Sequence, residues 1–281
     1  MVNSNGKIVF EDEATISLTN RGFNYGDALF ETMKVVGGQV LFLEDHYFRL
    51  MASMRILRME IPMSFTMEFV ENEIVKLLDA KNLRDVVTRV KFLVNRKSGG
   101  FYAPKTNDID YLITAEELSS AIYRNGIDIY EIELFKDYYV APGLLSTIKT
   151  NNKIVNVLGS IFAEENGYQN AIILNTNKMV VEALNANLFL VKGNTIRTPS
   201  LADGSLKGIM RKQILDILSR DEDYELIEDS ISSFDLLKAD EVFLTNVIIG
   251  IQSVTKYRKK QFGNTVAMKL LAKLNARIRA N

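Results

Sequence analysis

The sequence predicts an α+β protein of two domains, and three observations carry that prediction. The chain has 281 residues, more than the ~100–200 of one ordinary domain. Segments with strand character outnumber those with helix character and do not alternate with them as a parallel βαβ array would require. Between the two halves, residues 116–126 form a polar stretch without periodicity. We therefore expect an N-terminal α+β domain at 1–115, a linker at 116–126 and a C-terminal domain at 127–281.

The elements follow in chain order. Residues 13–18 and 29–36 have strand composition, with a turn-rich stretch at 20–27 between them. Residues 43–59 place Leu43, Tyr47, Leu50, Met54 and Leu57 at the spacing of one buried helical face. Residues 64–80 repeat that pattern through Met67, Val70, Ile74, Leu77 and Leu78, with Ser64 as the expected N-cap. Residues 86–94 are rich in β-branched side chains and predict a strand. Residues 95–107 carry Gly99, Gly100 and Pro104 and predict a loop. Another strand is expected at 109–115. In the second half, strands are expected at 127–134, 171–175, 179–182, 187–192 and 240–245. Helices are expected at 152–165, 207–218 and 264–279, with a loop at 141–150.

Composition excludes several function classes. The 34 basic and 35 acidic residues leave a net charge of -1, so no basic excess points to nucleic acid. With no cysteine, neither disulfides nor thiolate chemistry is available. A single histidine, His46, cannot build a multi-histidine metal site, and we expect no metal. No apolar run reaches the ~18–20 residues that span a bilayer. The N-terminus is polar and then acidic, unlike a secretory signal. We expect a cytoplasmic protein.

Phosphate-loop, dinucleotide, zinc-protease and nucleophile-elbow motifs are absent. Four other segments carry information: Asn20-Arg-Gly-Phe-Asn-Tyr-Gly-Asp-Ala-Leu-Phe-Glu-Thr32, and Glu44-Asp-His-Tyr-Phe-Arg-Leu50; Ser146-Thr-Ile-Lys-Thr-Asn-Asn152 with Val181-Glu-Ala-Leu-Asn-Ala-Asn-Leu-Phe189; and Leu206-Lys-Gly-Ile-Met-Arg211 with Asp240-Glu-Val-Phe-Leu-Thr-Asn246. In this order, over nearly the whole chain, they resemble the class IV aminotransferase family. Its members are fold-type IV enzymes that use pyridoxal 5′-phosphate (PLP): branched-chain and D-amino-acid aminotransferases and 4-amino-4-deoxychorismate lyase. The resemblance implies the two-domain fold of the D-amino-acid aminotransferase type.

It also implies roles. Lys149 matches the Schiff-base lysine, which must spend time uncharged to act as a nucleophile. A loop lysine is ordinarily just solvated; the flanking match favours catalysis. Glu182 matches the carboxylate that keeps the cofactor's ring nitrogen protonated. Gly208 and Ile209 open a helix whose N–H groups would receive the phosphate. Asn246 and Val247 match a second phosphate-contacting turn, used mainly through backbone. Arg49 matches a phosphate-binding arginine and would otherwise be a surface ion pair. Tyr25, Phe30, Lys91, Arg96 and Tyr102 are the candidates for substrate contact. His46 is assigned no chemistry, and Met51, Met54 and Met59 are assigned to the core.

Within the family, Asn152-Lys153, the segment 91–100 and the Asn246 turn resemble the lyase. Phe101 departs from it, standing where lyases commonly carry an arginine suited to a substrate carboxylate. The implied reaction is release of p-aminobenzoate and pyruvate. The alternative is transamination of a branched-chain or D-amino acid with a 2-oxo acid acceptor. A non-catalytic binding protein on the same fold would predict loss of Lys149 or Glu182, and both are present. The resemblance further implies a small amino-acid-like substrate and a homodimer, with the loop 96–102 reaching the neighbouring subunit's site.

Overall fold

A computed structural model describes residues 1–126 and 129–280. The chain divides into two compact units. One comprises Met1–Ala121 together with Ile148–Asn152; the other comprises Ile122–Thr147 and Lys153–Asn281.

The first unit runs β1 (Val2–Ser4), β2 (Lys7–Val9), α1 (Arg21–Tyr25), β3 (Ala28–Val36), β4 (Gln39–Val40), α2 (Leu43–Ile56), α3 (Met67–Ala80), β5 (Thr88–Arg96) and β6 (Ile109–Glu117). Its strands form one sheet in the order β2-β1-β6-β5-β3-β4. Strand alternation sorts the side chains by face. Leu29, Met33 and Val35 of β3 and Val90, Phe92 and Val94 of β5 join Leu50, Met54, Ile74 and Leu77 of α2 and α3 in the core. The intervening residues Phe30, Thr32, Lys91 and Leu93 lie on the sheet's other face and are half-buried.

The second unit runs β7 (Glu131–Val140), a 3₁₀ turn at Leu144–Thr147, α4 (Ile154–Glu165), β8 (Asn170–Asn175), β9 (Met179–Ala183), β10 (Asn187–Lys192), β11 (Thr195–Pro199), α5 (Ile209–Leu218), β12 (Glu225–Asp229), β13 (Ile231–Ser232), α6 (Ser233–Lys238), β14 (Glu241–Asn246), β15 (Gly250–Val254), β16 (Lys256–Tyr257), β17 (Lys260–Gln261) and α7 (Thr265–Ala280). Two sheets, β12-β11-β10-β14-β15 and β13-β9-β8-β7-β16-β17, share an apolar core that includes Leu134, Ile172, Leu188, Leu190, Val242 and Tyr257. The α+β class and the main helices agree with the sequence reading.

Several boundaries differ, each for a local reason. Residues 13–18 form turns, not a strand: the Glu13 and Ala14 N–H groups donate to Phe10 and Glu11 carbonyls, and Leu18 is exposed. A strand-prone sequence needs a partner edge, and here local turns take its donors. The helix expected at 43–59 stops at Ile56, with Arg58 in the left-handed region at φ 56°. Thr66, not Ser64, caps α3 by accepting from the Phe69 N–H at 3.1 Å. The strand expected at 86–94 extends through Arg96, and β6 continues through Glu117, taking two residues of the expected linker. Ile127 and Asp128, the start of the strand expected at 127–134, lie outside the described residues, and β7 begins at Glu131. The strand pairs β1–β2 and β11–β12 were not anticipated.

Candidate active site

The candidate residues fall into one set in each unit. In the first, β3 leaves the edge of its opening residues to a distant segment. The Phe30 N–H donates to the Lys149 carbonyl at 2.9 Å and the Asn151 N–H to the Ala28 carbonyl at 3.0 Å. Thr150 bridges Leu29 in antiparallel register. The expected loop at 141–150 thus ends as a short strand-like piece. Ile148 enters the core, and the Lys149 Nζ stands 4.4 Å from the centre of the Phe30 ring. The Lys91 Nζ lies 5.1 Å from that same ring, so two amines gather about one aromatic side chain.

The segment is anchored at its far end as well. The Asn152 amide donates to the Gly26 carbonyl at 3.1 Å. Gly26 closes α1 at φ 64°, and a Cβ there would meet the Asn152 Oδ1 at 2.4 Å. Glycine is required by conformation and by space.

Arg49 turns its fork onto Glu31, with Nε donating to Oε1 at 2.8 Å and Nη2 pairing with Oε2. His46 Nδ1 lies 2.7 Å from the same Oε2. Glu31 on β3 and His46 on α2 are both buried. Burial pushes the Glu31 carboxyl up, but the Arg49 charge and the His46 contact outweigh it and bring the pKa down to about 2. Burial holds the His46 pKa below its ordinary value, with the Glu31 contact opposing. Sequence reasoning left Glu31 unassigned; the available signal was a carboxylate at a core-facing position of β3.

Arg96 corrects an expectation. The sequence places it in a loop as a candidate for substrate contact; it is instead the last residue of β5 and is buried. All five of its N–H groups are taken: by Asp27 Oδ2 (2.9 Å) and Oδ1 (3.4 Å), the Leu57 and Arg58 carbonyls (2.6 and 3.1 Å) and Asn107 Oδ1 (2.6 Å). Arg96 closes the fold and has no donor left for a ligand. Tyr25 and Tyr102, two other substrate candidates, meet with ring centres 5.7 Å apart.

The second unit's set is built on amides. Glu182 on β9 accepts from the Leu206 N–H at 2.9 Å and from Asn187 Nδ2 at 3.2 Å. The same Asn187 amide donates to the Leu206 carbonyl at 2.9 Å. Gly208 is the N-cap of α5, which begins at Ile209 rather than at 207, and no side chain caps its first turn. A Cβ on Gly208 would lie 1.9 Å from Asn187 Oδ1. Asn246, the last residue of β14, folds its side chain into the following turn. Its Oδ1 accepts from the Ile248 and Ile249 N–H groups at 3.0 and 2.9 Å, and its Nδ2 donates to the Asn185 carbonyl at 3.0 Å. Val247 is buried, and its carbonyl accepts from the Tyr123 hydroxyl. Among the described residues, no cluster of His, Asp and Glu suited to a metal occurs, and no helix is long and apolar enough to cross a membrane.

The sequence profile of the family described as amino-transferase class IV matches residues 28–257. The aminodeoxychorismate lyase of Vibrio harveyi is 28% identical over 245 residues, covering 85% of this chain and 86% of that protein. The D-alanine aminotransferase of Bacillus licheniformis is 25% identical over 266 residues, covering 92% of this chain and 89% of that one. The crystal structure of the branched-chain aminotransferase of Thermoproteus uzoniensis superposes with a TM-score of 0.88 at 23% identity, over 99% of this chain and 94% of that chain. The fold, the ordered motifs and these similarities lead to one conclusion: the chain belongs to the class IV aminotransferase family of PLP-dependent enzymes.

Proposed function

We propose that this enzyme binds PLP through Lys149 and transforms a small amino carboxylate at its α-carbon. The observation that carries the reading is the placement of Lys149. Two backbone hydrogen bonds fix its segment to the edge of β3, and its half-buried amine stands over Phe30.

The chemistry of each candidate donor suits the cofactor. Lys149 supplies an amine for an aldehyde. Glu182 supplies a carboxylate for a ring nitrogen, fixed by an N–H and an amide. The uncapped first turn of α5 supplies N–H groups suited to a phosphate. Arg49 would supply a cation whose direction is set by Glu31, and the Asn246–Val247 turn would offer a second phosphate contact. When bound, PLP supplies the electron sink for charge formed at the substrate α-carbon. Lys149 holds the cofactor before the substrate enters and then moves the α-proton through its Nζ. Glu182 would supply the carboxylate that keeps the ring nitrogen protonated.

Two outcomes share this machinery. The Asn152-Lys153 pair and the segment from Lys91 to Gly100 support a lyase, and the relatives named as aminotransferases support transamination. Recognition of the substrate falls to Tyr25, Phe30, Lys91 and Tyr102. Phe10, Ile16, Leu18 and Phe23 stand exposed near the N-terminus, which supports a homodimer; a monomer by light scattering would overturn that part.

Borohydride reduction of the PLP-loaded protein should leave a pyridoxyl adduct on Lys149. Lys149→Ala should lose the adduct and about 10²–10⁴-fold in turnover, the span of a lost proton-transfer group. An adduct on another lysine would overturn the assignment. Incubation with aminodeoxychorismate, and separately with an amino-acid panel plus 2-oxoglutarate, separates the two outcomes by their pyruvate and 2-oxo acid products.

A further inference from the structure

Arg21 lies in a five-residue helix yet is only 3% exposed. Its Nε donates to Asp27 Oδ2 at 2.8 Å. Its Nη1 donates to the carbonyls of Gly99 (3.3 Å) and Phe101, and its Nη2 to the Tyr102 carbonyl at 3.2 Å. Three carbonyls of one loop thus converge on one guanidinium. That same group lies 5.1 Å from the centre of the Tyr25 ring, and the Tyr25 ring meets Tyr102.

The loop it grips is unusual in what it presents. Phe101 and Tyr102 are 84% and 90% exposed, so little apolar burial holds their backbone beyond the Tyr25–Tyr102 ring contact. Gly100 turns at φ 79°, where a Cβ would lie 2.3 Å from the Ala103 carbonyl oxygen. Arg21 adds three side-chain bonds to a loop otherwise shaped by its glycines, the Gly100–Pro104 bridge and the Gly99 N–H donated to the Thr19 carbonyl.

Asp27 is the hub. One carboxylate receives Arg21 and Arg96. The adjacent Gly26 carbonyl receives Asn152, three residues beyond Lys149. The loop with Tyr102, the turn with Tyr25 and the segment with Lys149 are thereby tied to one dipeptide. A cavity of about 430 Å³ opens among Arg21, Tyr25, Arg58, Arg96, Tyr102 and Asn107.

We propose that Arg21 is a positioning residue for substrate recognition, holding the backbone of the loop that carries Tyr102 in the shape in which that side chain meets substrate. The proposal rests on the readings of Lys149 and Tyr102 given above. Arg21 touches no reacting atom; it acts through the loop's carbonyls. Its removal leaves Asp27 paired to Arg96, so the loop loses its side-chain anchors to the hub while the hub remains. Amino substrates with apolar side chains should feel the loss most, because the latch fixes a pair of aromatic rings.

The test compares wild type, Arg21→Gln and Arg21→Lys as PLP-loaded proteins. Arg21→Gln should raise KM for an apolar amino substrate such as norvaline at least tenfold while kcat stays within threefold. Trypsin should cut faster at Lys97 and Lys105, and the pyridoxyl adduct on Lys149 should persist. Arg21→Lys, which keeps the charge but not the fork, should fall between. Should Arg21→Gln not fold, Tyr102→Ala on an intact latch must reproduce the rise in KM. An unchanged KM in the active Arg21→Gln or in Tyr102→Ala overturns the proposal, as does an equal loss of kcat and adduct. A wild type without an adduct on Lys149 overturns the underlying reading as well. Wild-type turnover beside unchanged variants overturns this proposal alone.

Discussion

In the first unit the candidate side chains are held by buried charge: Glu31 between Arg49 and His46, and Asp27 between Arg21 and Arg96. In the second they are held by amides: Glu182 by the Leu206 N–H and Asn187, and the turn after β14 by Asn246. The difference teaches where each set is fragile. A buried ion must keep its partner, because an unpaired one is expensive. An amide scaffold is indifferent to pH, but it is intolerant of any atom placed where a backbone must pass.

The largest expected effect is at Glu31. Glu31→Gln leaves Arg49 facing a neutral group and should cost about 3–5 kcal/mol by urea unfolding, the range for breaking a buried pair. The same pair sets a pH dependence. The Glu31 pKa is lowered from 4.5 to about 2, so its contribution is complete above the unfolded value and is lost as pH falls through the folded one. His46, with its pKa also lowered, acts in the same direction, since the unfolded chain takes up its proton first. Wild type should lose stability steadily between pH ~5 and ~2, and Glu31→Gln should show a flatter curve there. Equal slopes would dissolve the contrast between the units.

A smaller effect is expected at Gly208. Gly208→Ala places a methyl against Asn187 Oδ1 and should cost about 1–3 kcal/mol, with weaker PLP retention. Gly143→Ala, where a Cβ meets nothing within 4 Å, is the control. A Gly208→Ala protein as stable as Gly143→Ala would show that α5 can shift its start. The smallest effect is at Asn246. Asn246→Ala removes the acceptor for two N–H groups and should cost about 1 kcal/mol at any pH between 5 and 8. A pH-dependent loss would place ionic character in the second set.

Legibility in the sequence followed the same divide. The helical faces of α2 and α3 were readable because burial repeats with the helix period. The family and its ordered motifs were readable because they are local strings. Arg96 was misplaced because its partners, at Asp27, Leu57–Arg58 and Asn107, come from three separate stretches of chain. Glu31 escaped for the same reason, since only the packing of α2 over β3 turns it into an anchor. The domain expectation of 1–115 and 127–281 put Lys149 in the second half, whereas its segment packs with the first unit. Composition marks a chain crossing poorly when the crossing piece is five residues long.

That crossing piece bears on how the chain is made. Among the described residues, the β3 edge at Ala28–Phe30 is completed by Lys149–Asn151, while β4 and Leu41 cover Lys34–Val36 on that side. During synthesis, the first 121 residues emerge with this edge bare and wait for the chain to reach residue 152. An uncovered edge is a template for pairing with other chains. A fragment cut after Ala121 keeps both core helices and still lacks its last strand. Expression of residues 1–121 should therefore yield aggregates, and adding a peptide spanning 146–152 should reduce them.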